Sequence, residues 1–212
     1  MNGLDAVEIR VLGCLLEKQQ STPDVYPLTL NSLRSACNQT TSREPVVAYD
    51  EATVREAAQR LGQRGLARLA SYHGSRSSKY RHLLDDALGL SPGEKAVLCV
   101  LMLRGPQTLG ELKQRTERLH GFADLSAIEQ ALDQLTDRGL GRWLERRPGQ
   151  KEARYTHLME DAGDGGGGET EPGASPAERP DPGDLAGEVA RLREELDAIR
   201  RDVAALRAQL PG

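Results

Sequence analysis

Apolar residues at Leu4, Val7, Val11, Leu12, Leu15 and Leu16 recur with the 3.6-residue period of an amphipathic helix. Val97, Leu98, Leu101 and Met102 predict a second helix of the same kind. Thr-Leu-x-x-Leu, at 29–33 and again at 108–112, opens a short helix with Thr29 or Thr108 as its N-cap. A further helix in each region presents one apolar face, Val54, Ala57, Ala58 and Leu61 in the first and Ile128, Ala131, Leu132 and Leu135 in the second. Both of these helices run into Arg-Gly-Leu, where Gly65 and Gly139 are C′ glycines. Alternating residues, a glycine-containing turn and a strand through Tyr80 or Tyr155 then predict a β-hairpin.

These matches are an internal repeat. Leu4–Lys18 aligns with Leu90–Arg104, Leu28–Asn38 with Gln107–Glu117, Val54–Leu69 with Ile128–Trp143, and Gly74–His82 with Gly149–His157. Four blocks in one order mean a single architecture used twice, with length changes confined to the joins. Three helices followed by a hairpin, the second and third forming a helix-turn-helix, is the winged-helix arrangement. The expected fold class is mainly α with small β-hairpins (α+β), in two winged-helix domains at 1–87 and 88–160. Residues 161–184 are rich in Gly, Pro and acidic groups and read as a flexible linker.

Beyond that linker, Leu185, Val189, Leu192, Leu196, Ile199, Val203, Leu206 and Leu210 form an unbroken a/d seam, the mark of a coiled-coil helix at 185–210. With Val189, Leu196 and Val203 at a, Glu188, Glu195 and Asp202 at g face Arg193, Arg200 and Arg207 at e of a parallel partner. An antiparallel pair would oppose like charges. A parallel homodimer is therefore expected; the other reading is a helix that folds back on its own chain or binds another protein.

Composition removes several classes. The chain has 212 residues, 38% of them hydrophobic, and its seven aromatic residues all lie before residue 156. No apolar stretch is long enough for a membrane span. Val11–Cys14 resembles a lipoprotein box only superficially, because Asp5, Glu8 and Arg10 stand where an apolar leader is needed. Cys14, Cys37 and Cys99 have no CxxC spacing and read as reduced, mostly buried thiols of a cytoplasmic protein. The histidines form no metal-ligand cluster, Asp85-Asp86 reads as a solvated turn, and the glycine run at 165–168 lacks the residues of a phosphate loop. Nothing places Cys37 and His82 together as nucleophile and base. Neither an enzyme nor a cofactor is expected.

Charge is unevenly distributed. Between Arg55 and His82 the bases Arg55, Arg60, Arg64, Arg68, Arg76, Lys79 and Arg81 face one acid, Glu56. This stretch covers the third helix and wing of the first copy, the parts of a winged helix that meet DNA. Arg55, Gln59 and Arg60 suit base edges in the major groove, and Arg68, Arg76, Lys79 and Arg81 suit phosphates. Asp50-Glu51 at the start of that helix opposes this approach. The second copy exposes Glu129, Asp133 and Asp137 instead, a face that phosphates would repel.

The segment from Ser21 through Val47, with its Thr-Pro-Asp-x-Tyr-Pro-Leu and Ala-Cys-Asn-Gln motifs, and the following Val54–Leu66 resemble the YceH-like family of uncharacterised bacterial proteins. The resemblance extends over roughly residues 4–158 and implies a tandem winged-helix fold with no established catalytic residue, substrate or cofactor. The expected partner is double-stranded DNA. The alternative is an interaction scaffold that binds a protein through the second copy.

Overall fold

The computed structural model describes residues 3–70, 78–146 and 150–160. Its order is α1 (Ala6–Ser21), β1 (Leu28–Thr29), α2 (Leu30–Cys37), α3 (Glu51–Gln63), β2 (Ala67–Ala70), β3 (Lys79–His82) and α4 (Leu84–Leu88). There follow α5 (Pro92–Arg104), α6 (Leu109–Thr116), α7 (Leu125–Asp137), β4 (Gly141–Leu144) and β5 (Arg154–His157). The molecule is thus α+β, with seven helices and two small antiparallel sheets among the described residues. The expected linker, the heptad seam from Leu185 to Leu210, and Arg76 lie outside these residues.

Side-chain caps fix where the helices begin. Asp5, Ser91 and Thr108 each close a capping box with a glutamate three residues on, and Thr29, Asp50 and Asp124 each accept a hydrogen bond from a first-turn N–H. α3 and α7 end alike: Gly65 and Gly139 take φ of 71° and 66°, and Leu66 and Leu140 donate back to Leu61 and Leu135 at 2.9 Å. The apolar faces read from the sequence, Val54–Leu61 and Ile128–Leu135, are the buried ones.

The sheets repeat as well. β3 pairs with β2 on one side and β1 on the other, with Leu28 opposite Tyr80. In the second half β4 pairs with β5, and the third strand shrinks to a bridge between Gln107 and Tyr155, the positions equivalent to Leu28 and Tyr80. Gln107 and Tyr155 exchange both backbone hydrogen bonds, at 2.8 and 3.0 Å.

Both copies share one core. Residues 1–162 form a single compact unit, and the buried apolar residues of both halves make one continuous cluster. The join is the packing of α1 on α5, close enough at Gly13 that an added Cβ would stand 3.0 Å from the Leu103 side chain. α1 is consequently buried along its whole middle, from Glu8 to Glu17, including charged positions on the side away from its apolar stripe. The segment between α2 and α3 is held by buried arginines. Arg10 donates to the carbonyls of Cys37 and Pro45, at 3.2 and 2.7 Å. Arg43 grips Glu17 with both terminal nitrogens, at 3.1 and 2.6 Å, and also reaches the Ala36 carbonyl. Asp85-Asp86, expected in a turn, stands in the first turn of α4, where Asp85 pairs with Lys95 at 2.9 Å.

Candidate nucleic-acid interface

α3 exposes Arg55, Glu56 and Gln59 because Val54, Ala57, Ala58 and Leu61 take the core side of the helix. Its charges are largely satisfied internally. Arg55 pairs with Glu51 one turn earlier. Arg60 turns toward the start of α1, donating to Asp5 at 2.7 Å and to Glu8 at 3.2 Å. Arg64 approaches Glu8 at 3.7 Å. The sequence pattern assigns Arg60 to a DNA groove; the fold sets it against two carboxylates. Of the three helix residues assigned to the groove, Arg55 and Gln59 are exposed, and Arg60 keeps 41% side-chain exposure while paired with its two carboxylates.

The hairpin differs. Ala67 and His82 face inward, which turns Arg68 and Arg81 to the opposite face, directly across from one another. Lys79, opposite Ala70, shares that face. Like charges paired across a sheet repel, and among the described residues no carboxylate lies within ion-pair distance of Arg68, Lys79 or Arg81. Between this hairpin and the N-terminal ends of α2 and α3 runs a groove of about 580 Å³, with Thr29, Asn31, Arg55, Leu69 and Tyr80 on its walls. Leu69 is 52% exposed there.

The second copy is built alike and charged differently. Arg142, equivalent to Arg68, faces Thr156 rather than an arginine. Arg154, equivalent to Lys79, is paired with Glu111 at 3.1 Å. Glu129, Asp133 and Asp137 stand exposed on α7.

The thiols are buried, and Cys14 and Cys37 are hydrogen-bonded to each other. Burial pushes the Cys99 thiol well above its ordinary range, and the hydrogen bond with Cys14 together with burial does the same for Cys37. All three cysteines are free and buried. Among the described residues no group of three His, Cys, Asp or Glu side chains is placed to hold a metal, and no helix is long and apolar enough to cross a membrane. One cationic concavity escaped sequence reading altogether: Lys18, Arg104, Arg115 and Arg118 surround a single cleft, although they lie far apart in the chain with no common motif.

Comparison with known proteins places the chain. The model of the family described as "Protein of unknown function, DUF480" matches residues 4–150. A UPF0502 protein of Pelobacter propionicus is 49% identical over 210 residues, covering 96% of this chain and 93% of the relative. UPF0502 proteins of Geobacter sulfurreducens and Stenotrophomonas maltophilia are 47% and 44% identical, each over 96% of this chain and over 90% and 94% of their own lengths. With the family model spanning more than half of its residues, and relatives this similar along nearly the whole chain, the protein belongs to the DUF480/UPF0502 family of bacterial proteins.

Proposed function

We propose that this chain is a non-enzymatic, cytoplasmic DNA-binding protein of tandem winged-helix type, possessing no cofactor and dimerised through its C-terminal heptad seam. The wing of the first copy makes the principal contact. One observation carries this reading: Arg68 and Arg81 face each other across β2 and β3 beside Lys79, without a carboxylate partner among the described residues. Such an arrangement is costly alone and is relieved by a polyanion. Arg55, on the wall of the groove beside the wing, and Gln59, exposed one turn further along α3, supply the secondary contact, with Arg76 extending the basic stretch in sequence.

A salt titration of the full chain against duplex DNA tests it. Log affinity falls against log salt, and the double variant R68A/R81A both weakens binding and flattens the slope by about 0.9 for every phosphate that is no longer neutralised. Absence of duplex binding at low salt overturns the reading. The exposed Glu129, Asp133 and Asp137 of α7 favour a second reading, a scaffold that binds a basic protein surface through the second copy. Its signature is a protein complex that resists nuclease and disappears when Asp133 and Asp137 are neutralised.

A further inference from the structure

The cleft at the seam between the two copies has a character of its own. About 300 Å³ in volume, it lies where the last turns of α1 and the segment after α2 meet α5 and α6. That volume is at the small end of ligand sites. Cys99, Val100 and Leu103, all buried, line one side. Lys18, Arg104, Arg115 and Arg118 line the cleft as well, together with Thr41 and Ser42.

The charges there do not cancel. Glu17 is the one acid among the residues lining the cleft. Arg43, behind the wall with its side chain fully buried, already holds both oxygens of Glu17. Burial opposes ionisation of Glu17, yet the Arg43 hydrogen bonds and charge hold its carboxyl below the usual range, so it stays committed to that partner. Lys18 shares Glu17 only at 3.5 Å, and Arg115 reaches Glu111 at the same length. Arg118 touches the Ser42 hydroxyl at 3.5 Å. Arg104 has no carboxylate within ion-pair distance among the described residues. Burial and the neighbouring guanidiniums of Arg115, Arg43 and Arg118 lower its pKa, with Glu44 as a partial offset.

Backbone geometry marks the same spot. Ser42 is the one described non-glycine residue with positive φ, at 60°. Its carbonyl is pinned by Arg43 at 2.9 Å while its hydroxyl faces Arg118. A serine held in the left-handed region costs free energy, and such positions cluster where ligands bind.

We infer that this cleft is a binding site for a small phosphorylated anion, with Arg104 and Arg118 gripping the phosphate, Lys18 and Arg115 completing the cationic wall, and Thr41 and Ser42 supplying hydroxyl donors. Guanidinium forks match phosphate oxygens, and a recessed cleft with an apolar side excludes water from those contacts better than a flat surface does. The ligand would touch α1 and the segment after α2 from the first copy and α5 and α6 from the second. The site stands independently of the nucleic-acid reading, whose residues lie on other elements.

Calorimetric titration of the full chain with pyrophosphate, at constant ionic strength in chloride, tests the inference. One pyrophosphate binds per chain, and it raises the melting temperature. R104Q and R118Q each weaken it about tenfold, as expected when a hydrogen bond to a charged group is removed, while R68A/R81A leaves it unchanged. Arg118 is exposed and its bond to Ser42 is long, so R118Q retains the fold and stays informative if R104Q does not. Pyrophosphate binding no tighter than chloride overturns the proposal, as does binding indifferent to R118Q. Duplex DNA affinity that falls in R104Q and R118Q, with no pyrophosphate bound, also overturns it and makes the patch a nucleic-acid contact.

Discussion

Glu94 and Arg138 meet at 3.3 Å where α5 passes the end of α7, at repeat positions equivalent to those of Glu8 and Arg64. In each copy a glutamate closes the capping box of the first helix and is then almost wholly buried, at 1% exposure for Glu8 and 2% for Glu94. An arginine from the Arg-Gly-Leu signature pairs with it in both copies, joined at Glu8 by Arg60. The arginine is thus a structural residue in both copies. Glu94 Oε2 accepts from the Ser91 N–H, while Oε1 accepts no hydrogen bond and has Arg138 as its ion-pair partner. We expect R138A to cost about 2 kcal/mol, less than a fully buried pair because Arg138 is itself 42% exposed. E94Q, which retains the cap, costs less than R138A. Urea unfolding of the two variants checks the order, and the reverse order would refute it.

Two glycines predict opposite signs. A Cβ at Gly141 would stand 2.5 Å from the Tyr155 hydroxyl and 2.7 Å from its Cζ. Tyr155 cannot move aside, because it is fully buried and its hydroxyl is hydrogen-bonded to the Leu132 carbonyl and the Thr136 side chain, each at 2.9 Å. G141A is therefore expected to destabilise by about 1–3 kcal/mol. Gly110, in the first turn of α6, has open space around it, and G110A should stabilise by about 0.5 kcal/mol. Thermal melts of both variants decide the matter.

Stability should fall on mild acidification. Burial lowers His82 and His157 to a pKa of about 4, against about 6.5 in the unfolded chain. The unfolded state therefore binds more protons between those values, and stability decreases as pH falls from 6.5 toward 4, by roughly 3 kcal/mol for each histidine. Above pH 6.5 neither contributes. Each ring accepts a backbone N–H through Nδ1, from Leu84 and from Met159. H157N preserves an acceptor and removes one titration, so the slope of stability between pH 6.5 and 5 should fall to about half. Chemical unfolding at several pH values measures it.

Arg60 separates structure from binding. Its contacts with Asp5 and Glu8 predict that R60A lowers stability by about 1 kcal/mol. Duplex affinity should change far less than in R68A/R81A. A large loss of affinity with unchanged stability would return Arg60 to the interface.

Much of the fold was legible because its signals are local. Thr29 and Thr108 cap, Gly65 and Gly139 terminate, and the faces of α3 and α7 follow from apolar spacing alone. The segment between α2 and α3 was not legible: no local pattern marks Arg10 or Arg43, and only tertiary contact makes them buried anchors. For α1 the pattern showed one apolar stripe, whereas packing by both copies encloses the helix and buries Arg10 and Glu17 as well. Within the candidate interface the hairpin sets Arg68 and Arg81 across from one another on one face, a pairing that strand register decides, while Arg60 turns to Asp5 and Glu8, which lie about fifty residues away in the chain. The seam cleft left no trace in sequence for the same reason.

The close approach at Gly13 has a consequence for how the molecule comes apart. Dividing the chain after residue 87 would leave α1 and α5 each with a naked, leucine-rich flank, so neither fragment should hold its shape alone. The copies would melt together in one calorimetric peak. The internal repeat would then behave as a single thermodynamic object instead of two beads on a string.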